Sequence, residues 1–511
     1  MDCSLVAVLT EWSKSVGTLR LVLSANGHSF ATGAMDSACC SRSRPPERFG
    51  SLCAVDHDWE SDGERQTLHG PRLAKVDVIK RDFLLAVALL LTTATELRSP
   101  GSPVGPGEIC LVIWITWTVG HSLAQSSLPV TPALFHLFIF WALFGVGQSI
   151  GLLSGLSIND TRDWGLFLHD VMAYVLVAAF SCLCVVEAEA ELRLHRVAWF
   201  MVSLGAVILI LQLATAWAWI DLPLIEPWFG DRFRGWSNNP NQLAFLCALQ
   251  VLLALYLADA ATRFASQVMA IACALPAIGI GVLTKTDTFT FALIAACPVF
   301  LCVKLRIWLS TPRQVLIARA MAALIAIAAV PMLLASAIPL VASSISDPQN
   351  LALGLTKNGG KEAVHEADLR LELWGEAIDR GLEAQMLGLG PGPHLPIPAS
   401  IIAARQTETD LDTGDHPAVN GTPDFEAHNT FLDLFAQCGL LGVVSFAWIM
   451  TTAFFTAVRV RQAGLAALLC GLAVFGLTNM IVRPPIFWFG ITLCLVQGNL
   501  LNRQKRVAAP T

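Results

Sequence analysis

Residues 197–220 read VAWFMVSLGAVILILQLATAWAWI, 24 positions without one charged side chain. As an α-helix at about 1.5 Å per residue, such a run exceeds the roughly 30 Å hydrocarbon core of a bilayer. Its apolar residues are continuous rather than alternating, which excludes a barrel strand. Working outward, eleven more apolar runs of similar character follow one another, at about 82–97, 108–126, 132–156, 168–186, 242–260, 267–284, 286–303, 314–346, 430–458, 462–481 and 485–501. The short pair at 267–303 also fits one re-entrant pair.

Composition agrees. Of 511 residues, 55% are apolar and only 14% charged, with a mean hydropathy of +0.60, where a soluble chain carries about 25% charged residues. The 15 Trp and 26 Phe against two Tyr suit a lipid-facing bundle. A net charge of −6 is too mild to imply a nucleic-acid partner. The expected fold is therefore all-α: a polytopic transmembrane bundle of about twelve spans with one long external loop containing short helices.

The expected organisation is a tail over 1–81, spans one to nine over 82–346, the loop over 347–429, spans ten to twelve over 430–501, and a short tail over 502–511. Residues 36–75 are polar and no secretory signal precedes them. The first segment reads as a disordered tail or as sequence upstream of the true start. Four of the 14 cysteines lie in that tail and ten in or beside runs, with no CxxC pair.

Orientation follows from the basic residues. With the N-terminus inside, alternate connections hold Lys75, Lys80 and Arg81; Arg193 and Arg196; Arg263; Lys304, Arg306 and Arg313; Arg459 and Arg461; and Arg503, Lys505 and Arg506. Both termini are then cytoplasmic and the long loop is outside. This makes Arg232, Arg234, Lys285, Arg370, Arg380, Arg405 and Arg483 the informative cations, because they sit where the topology rule disfavours them. Singly, each is explicable as a solvated loop charge. Together they point to an anion held at the outer surface, since the guanidinium fork matches phosphate.

Three outer segments carry candidate chemistry. Residues 368–386, DLRLELWGEAIDRGLEAQM, predict an amphipathic helix, with Trp374 one turn after Arg370 and a Gly-rich turn at 388–392 ending it. A helix in the interface plane is the plain reading. In residues 230–244, GDRFRGWSNNPNQLA, the cluster Asn238, Asn239 and Asn241 around Pro240 predicts a turn entering a helix, whose first amides and Arg234 suit an anionic oxygen; a well-capped surface turn is the equal alternative. His428 and Asn429 stand at the entrance to the tenth run; a histidine at that boundary can titrate near neutrality and serve as a general base, although taken alone a structural or capping role is the commoner one. Gly439 and Gly442, three apart, permit close helix packing. Asp410 and Asp412 mimic a metal-binding DxD pair but lack any surrounding nucleotide-binding pattern, so a solvated loop is the stronger reading.

These segments together resemble the O-antigen ligase and O-antigen polymerase superfamily of bacterial envelope proteins, over about residues 82–501. The resemblance rests on Arg234-Gly235 running into Asn239-Pro240-Asn241 and Leu243-Ala244, on Arg370, Trp374 and the turn at 387–392, and on His428-Asn429 through Gly442. Where the family often has Ser-Arg at the outer end of a central span, this chain has Lys285-Thr286.

The resemblance implies a metal-independent glycosyltransferase in the bacterial inner membrane, acting on the periplasmic face. Its donor would be a glycan on undecaprenyl pyrophosphate, and its acceptor a sugar hydroxyl on lipid A-core (ligase) or on a lipid-linked glycan (polymerase), for lipopolysaccharide, capsule or exopolysaccharide. His428 would be the base, with Arg370 and Arg234 beside the pyrophosphate. Asn429, Arg232, Asn241, Lys285, Trp374 and Arg483 would bind substrate. Two alternatives stay open: a secondary transporter, as in a bicarbonate-linked branch of the superfamily, or a silent assembly scaffold. Transporters place ionisable groups near the bilayer midplane, and the runs hold few, with Asp259 and Asp433 near ends.

Overall fold

The computed structural model describes residues 70–98, 104–124, 131–186, 189–220, 225–310, 359–397 and 425–508. Twelve α-helices occur among them: α1 Gly70–Leu91, α2 Pro106–Ala124, α3 Pro132–Ser157, α4 Trp164–Val186, α5 Ala190–Ala216, α6 Pro240–Ala260, α7 Phe264–Leu283, α8 Asp287–Leu309, α9 Gly359–Glu383, α10 Thr430–Arg459, α11 Ala463–Gly476 and α12 Pro485–Ala508. The only sheet among the described residues is a two-stranded hairpin, β1 Trp228–Phe229 and β2 Arg232–Phe233, with Trp228 opposite Phe233.

Eight helices, α2 to α8 and α10, are long and apolar enough to cross a membrane, and the chain is a multi-pass membrane protein. α1, α11 and α12 fall on the first, eleventh and twelfth apolar runs, although α11 and the apolar part of α12 are shorter. The ninth run, residues 1–69 of the N-terminal tail, Arg405, Asp410 and Asp412 lie outside the described residues.

Three boundaries differ from expectation. α1 begins at Gly70, twelve residues before the first apolar run, and so takes in the charged turn ahead of it. Asp82, fully buried, makes this tolerable: it receives bonds from Arg193 Nε at 2.8 Å and Nη2 at 2.7 Å, and from Arg196 Nη1 at 2.5 Å. A buried carboxylate without such partners would cost several kcal/mol. α9 is longer than the predicted 368–386 helix at its N-terminal side and ends at Glu383. The largest difference is in α10, which breaks at Gly439 with φ 62° and ψ −157°.

The helices alternate in direction, so their ends gather at two poles. At one pole Asp82 meets the start of α5, and Asp259 near the end of α6 pairs with Lys304 of α8 and accepts the Gly464 amide that opens α11. At the other lie the end of α1, the starts of α4, α6 and α10, and the 477–484 connection. Here Glu96 N donates to Trp236 O at 3.0 Å, and Thr430 Oγ1 donates to Asn479 O at 2.6 Å. The second pole carries the candidate site. α11 and the first half of α12 are buried almost throughout and form the centre of the bundle.

Candidate active site

The break in α10 comes first, because it positions everything near it. A helix interrupted within a span leaves amides and carbonyls without partners, a cost that hydrocarbon does not relieve. Here the Gly-rich turn after α9 supplies them. Leu389 N donates to Ala436 O and Gly390 N to Gln437 O, both at 2.8 Å, and Leu440 N donates to Met386 O at 3.0 Å. The turn reaches that depth because α3 presents Gly151 and Gly155 to it, while Gly147 lies against Cys438 of α10. A Cβ at Gly151 would stand 2.4 Å from Gln437 O, and one at Gly155 would stand 2.7 Å from Leu389 O. Gly439 and Gly442 therefore do not serve the simple helix packing that their spacing predicts: Gly439 adopts a backbone closed to other residues, with Met386 O 2.0 Å from where its Cβ would be.

Polar side chains hold the inserted turn. His394, buried, bonds Asp160 Oδ2 through Nδ1 at 3.1 Å and Gly390 O through Nε2 at 2.8 Å. Gln437 receives the Tyr174 hydroxyl at 2.7 Å and donates to Gly392 O at 3.1 Å. The first half of α10 is thus fixed against α3, α4 and the turn, and His428 and Asn429 sit at its N-terminal end. Asn429 is the N-cap, accepting from Phe431 N at 3.0 Å and Leu432 N at 3.4 Å. His428 has φ 51°, in the left-handed region. Trp374 of α9 donates Nε1 to Ala427 O at 3.1 Å, so it supports the backbone beside His428.

His428 faces a cavity of about 770 Å³, shared with Arg483, Asn241, Asn239, Arg98, Glu108, His169 and Glu426, with an apolar wall including Val112, Leu168, Met172, Leu176 and Phe245. A second cavity of about 260 Å³ adjoins it, and His428, Arg483, Glu426 and His169 line both. Arg483 bonds Asp170 Oδ1 at 2.6 Å and pairs with Glu426. Burial opposes the charge on Arg483, but the Asp170 carboxylate outweighs it and holds the Arg483 pKa above its ordinary value, so it stays charged.

His428 keeps surface open to the cavity. Even so, the protein packed around the imidazole disfavours its charged form, and the Arg370 guanidinium adds to this; together they hold its pKa below the usual 6.5. The ring is therefore unprotonated, as a base must be, over a wider range of pH. Phe425 packs edge-on against it with centroids 5.6 Å apart.

The other sequence candidates have different surroundings. Neither Arg370 nor Arg234 lines either cavity; Arg370 acts on His428 electrostatically, whereas Arg234 pairs with Glu96 at 3.0 Å and donates to Glu226 O at 2.8 Å. Arg232 reaches the cavity wall indirectly, donating to Asn241 Oδ1 at 3.0 Å and to Thr286 Oγ1 at 3.1 Å. Lys285, half-exposed, pairs with Asp231 at 2.6 Å, and the contact holds the Asp231 carboxyl below its ordinary range. The first amides of α6 are already taken, since Asn241 N bonds Asn239 Oδ1 at 2.8 Å. They are not open to an anion.

Arg98, Glu108, His169, Asp170 and Glu426 were not singled out by sequence. Arg98, paired with Glu108 across the α1–α2 connection, had a signal available, as it occupies the same outer class of loop as Arg232 and Arg483. Among the described residues no group of three or more His, Cys, Asp or Glu is placed to hold a metal ion.

The architecture defines a multi-pass helical membrane protein with a polar, histidine-bearing site at one pole of the bundle. The O-antigen ligase family model matches residues 271–447, about a third of the chain, from α7 into α10. That match takes in Lys285, Arg370, Trp374, His428, Asn429 and Gly439, and it supports placing the chain in the O-antigen ligase/polymerase superfamily, as a membrane enzyme of that type. No curated protein matches the chain.

Proposed function

We propose that the protein transfers a glycan from an undecaprenyl-pyrophosphate carrier to a sugar hydroxyl at the periplasmic face of the bacterial inner membrane, without a metal. The observation that carries this is the joint lining of one large, mostly apolar cavity by His428 and Arg483, with Arg370 acting electrostatically on the same imidazole. The apolar wall suits a polyprenyl chain, and the polar end suits its pyrophosphate. The acceptor oxygen attacks the anomeric carbon while His428 takes its proton. The bond from that carbon to the pyrophosphate oxygen breaks, and the electron pair leaves on the carrier, stabilised by Arg370 and Arg483.

Arg234 takes a different part from the one its motif implies. Tied to Glu96 and Glu226, it braces the 228–241 segment that presents Asn241 to the cavity, and Arg232 does so directly. Asn429 and Trp374 hold His428 in place. The proposed topology has both termini cytoplasmic, twelve spans, and the segment between α8 and α10 including a periplasmic loop.

The test is a gel of surface polysaccharide from a strain lacking the gene, complemented with wild type or His428→Ala. Loss of long glycan on lipid A-core, with repeats accumulating on the carrier, marks a ligase; single repeats in place of long chains mark a polymerase. His428→Ala should insert normally and lose about 10²–10⁴-fold in transfer rate. Normal polysaccharide from that variant would sink the assignment, and an unchanged gel on deletion would favour a transporter.

A further inference from the structure

Asp433 lies one turn into α10, is 5% exposed, and faces back toward the helix entrance. Its two oxygens go to different places. Oδ1 accepts the Ala427 amide at 2.7 Å, and Oδ2 accepts the Asn429 amide at 3.2 Å. These two amides flank His428, whose own backbone is left-handed. A capping interaction alone needs only the amide at the helix N-cap, and Asn429 already caps the next two amides with its own side chain. The bond to Ala427 lies outside the helix and adds nothing to it. What that bond does is fix the Glu426–Ala427 peptide, just ahead of His428, while Trp374 holds the Ala427 carbonyl of the next peptide.

We infer that Asp433 is a positioning residue for His428: its carboxylate grips the backbone on both sides of the histidine and holds the imidazole toward the cavity. The left-handed φ of His428 is a conformation that a residue other than glycine adopts only at a cost, so the surroundings must hold it. Trp374, bonded to the Ala427 carbonyl, and Phe425, edge-on to the ring, complete the support. With both flanking peptides fixed, only the two side-chain torsions of His428 remain, and a base displaced by about 1 Å can lose 10²-fold in rate. Neutral groups would cap the helix without the desolvation that a buried carboxylate incurs. Two acceptor oxygens on one short side chain let a single residue bind both amides.

This inference rests on the glycosyl-transfer reading only for the consequence in rate; the positioning has a readout of its own. In purified full-length protein, peptide-resolved mass spectrometry after brief diethylpyrocarbonate treatment gives the reactivity of His428 relative to His121 in the same molecule. Asp433→Asn keeps the shape but offers only one acceptor oxygen. The expected result is a change of threefold or more in His428 reactivity with the other histidines unmoved, together with a fall in kcat of tenfold or more and KM values for donor and acceptor within twofold. Unchanged His428 reactivity, or full activity, overturns the inference. So does a parallel rise at every histidine, which marks general loosening. If Asp433→Asn fails to fold, Trp374→Phe, which removes the bond to Ala427 O, should shift His428 reactivity in the same sense; no shift there overturns it too. Should wild-type protein show no transfer, the labelling still decides the positioning, and the failure belongs to the reaction assignment.

Discussion

Replacing Gly439 with alanine tests whether the break in α10 is built into the fold. The backbone there, φ 62° and ψ −157°, belongs to a region essentially restricted to glycine, and another residue pays about 1–3 kcal/mol to occupy it. The added Cβ would also stand 2.0 Å from Met386 O and 2.6 Å from Leu387 C. Clearing that overlap requires the inserted turn to retreat by more than an ångström. The 3.0 Å bond from Leu440 N to Met386 O is lost, and those from Leu389 N and Gly390 N are strained. At about 0.5–1.5 kcal/mol for each hydrogen bond, the sum is roughly 2–7 kcal/mol against folding. Gly279 supplies the control, because nothing lies within 4 Å of its would-be Cβ and its helix interior favours alanine by up to about 1 kcal/mol. Reversible unfolding of the purified protein in mixed micelles at rising dodecyl sulfate measures both variants. If Gly439→Ala and Gly279→Ala unfold within about 0.5 kcal/mol of each other, the account of the break is wrong.

Two further outcomes follow from the site. The acid limb of kcat/KM should fall below pH 6.5, because His428 loses its base form only as the pH drops through a lowered pKa; Arg370→Gln removes one of the two causes and should move that limb upward, and a limb that stays put or moves down counts against the arrangement. Arg483→Ala leaves Asp170 (1% exposed) and Glu426 without their cation. Losing one partner of a buried pair costs about 3–5 kcal/mol, less here because Glu426 is partly open to solvent, and Asp170→Asn in the same chain should recover part of it. Equal stability of the single variant and wild type in the micelle assay would show that the pair does not support the fold.

Much of the bundle was legible in the apolar runs, because spans are recognised by length and continuity, and both survive in residues such as 197–220. The entrance of α10 was legible through His428 and Asn429, a polar pair followed at once by apolar residues. The break was not. A pair of glycines three apart reads equally as a packing face, and only the arrival of the 386–390 turn, about fifty residues earlier in the chain, decides between the two. The glycines of α3 went unnoticed for the same reason: their use depends on a turn more than two hundred residues away. The basic residues were found as a class but not sorted. Arg234 and Arg483 look alike in sequence, and what separates them is the carboxylate each one meets, Glu96 for the first and Asp170 with Glu426 for the second.

The interrupted helix also bears on how the chain is made. α3 with its glycine groove is synthesised first, the turn at 386–390 next, and the broken segment of α10 last. By the time the unpaired amides and carbonyls around Gly439 enter the membrane, the groups that satisfy them already exist upstream. A circular permutation that placed α10 ahead of α3 would keep every contact in the finished fold, yet it would ask the gap to wait in lipid for a partner not yet translated.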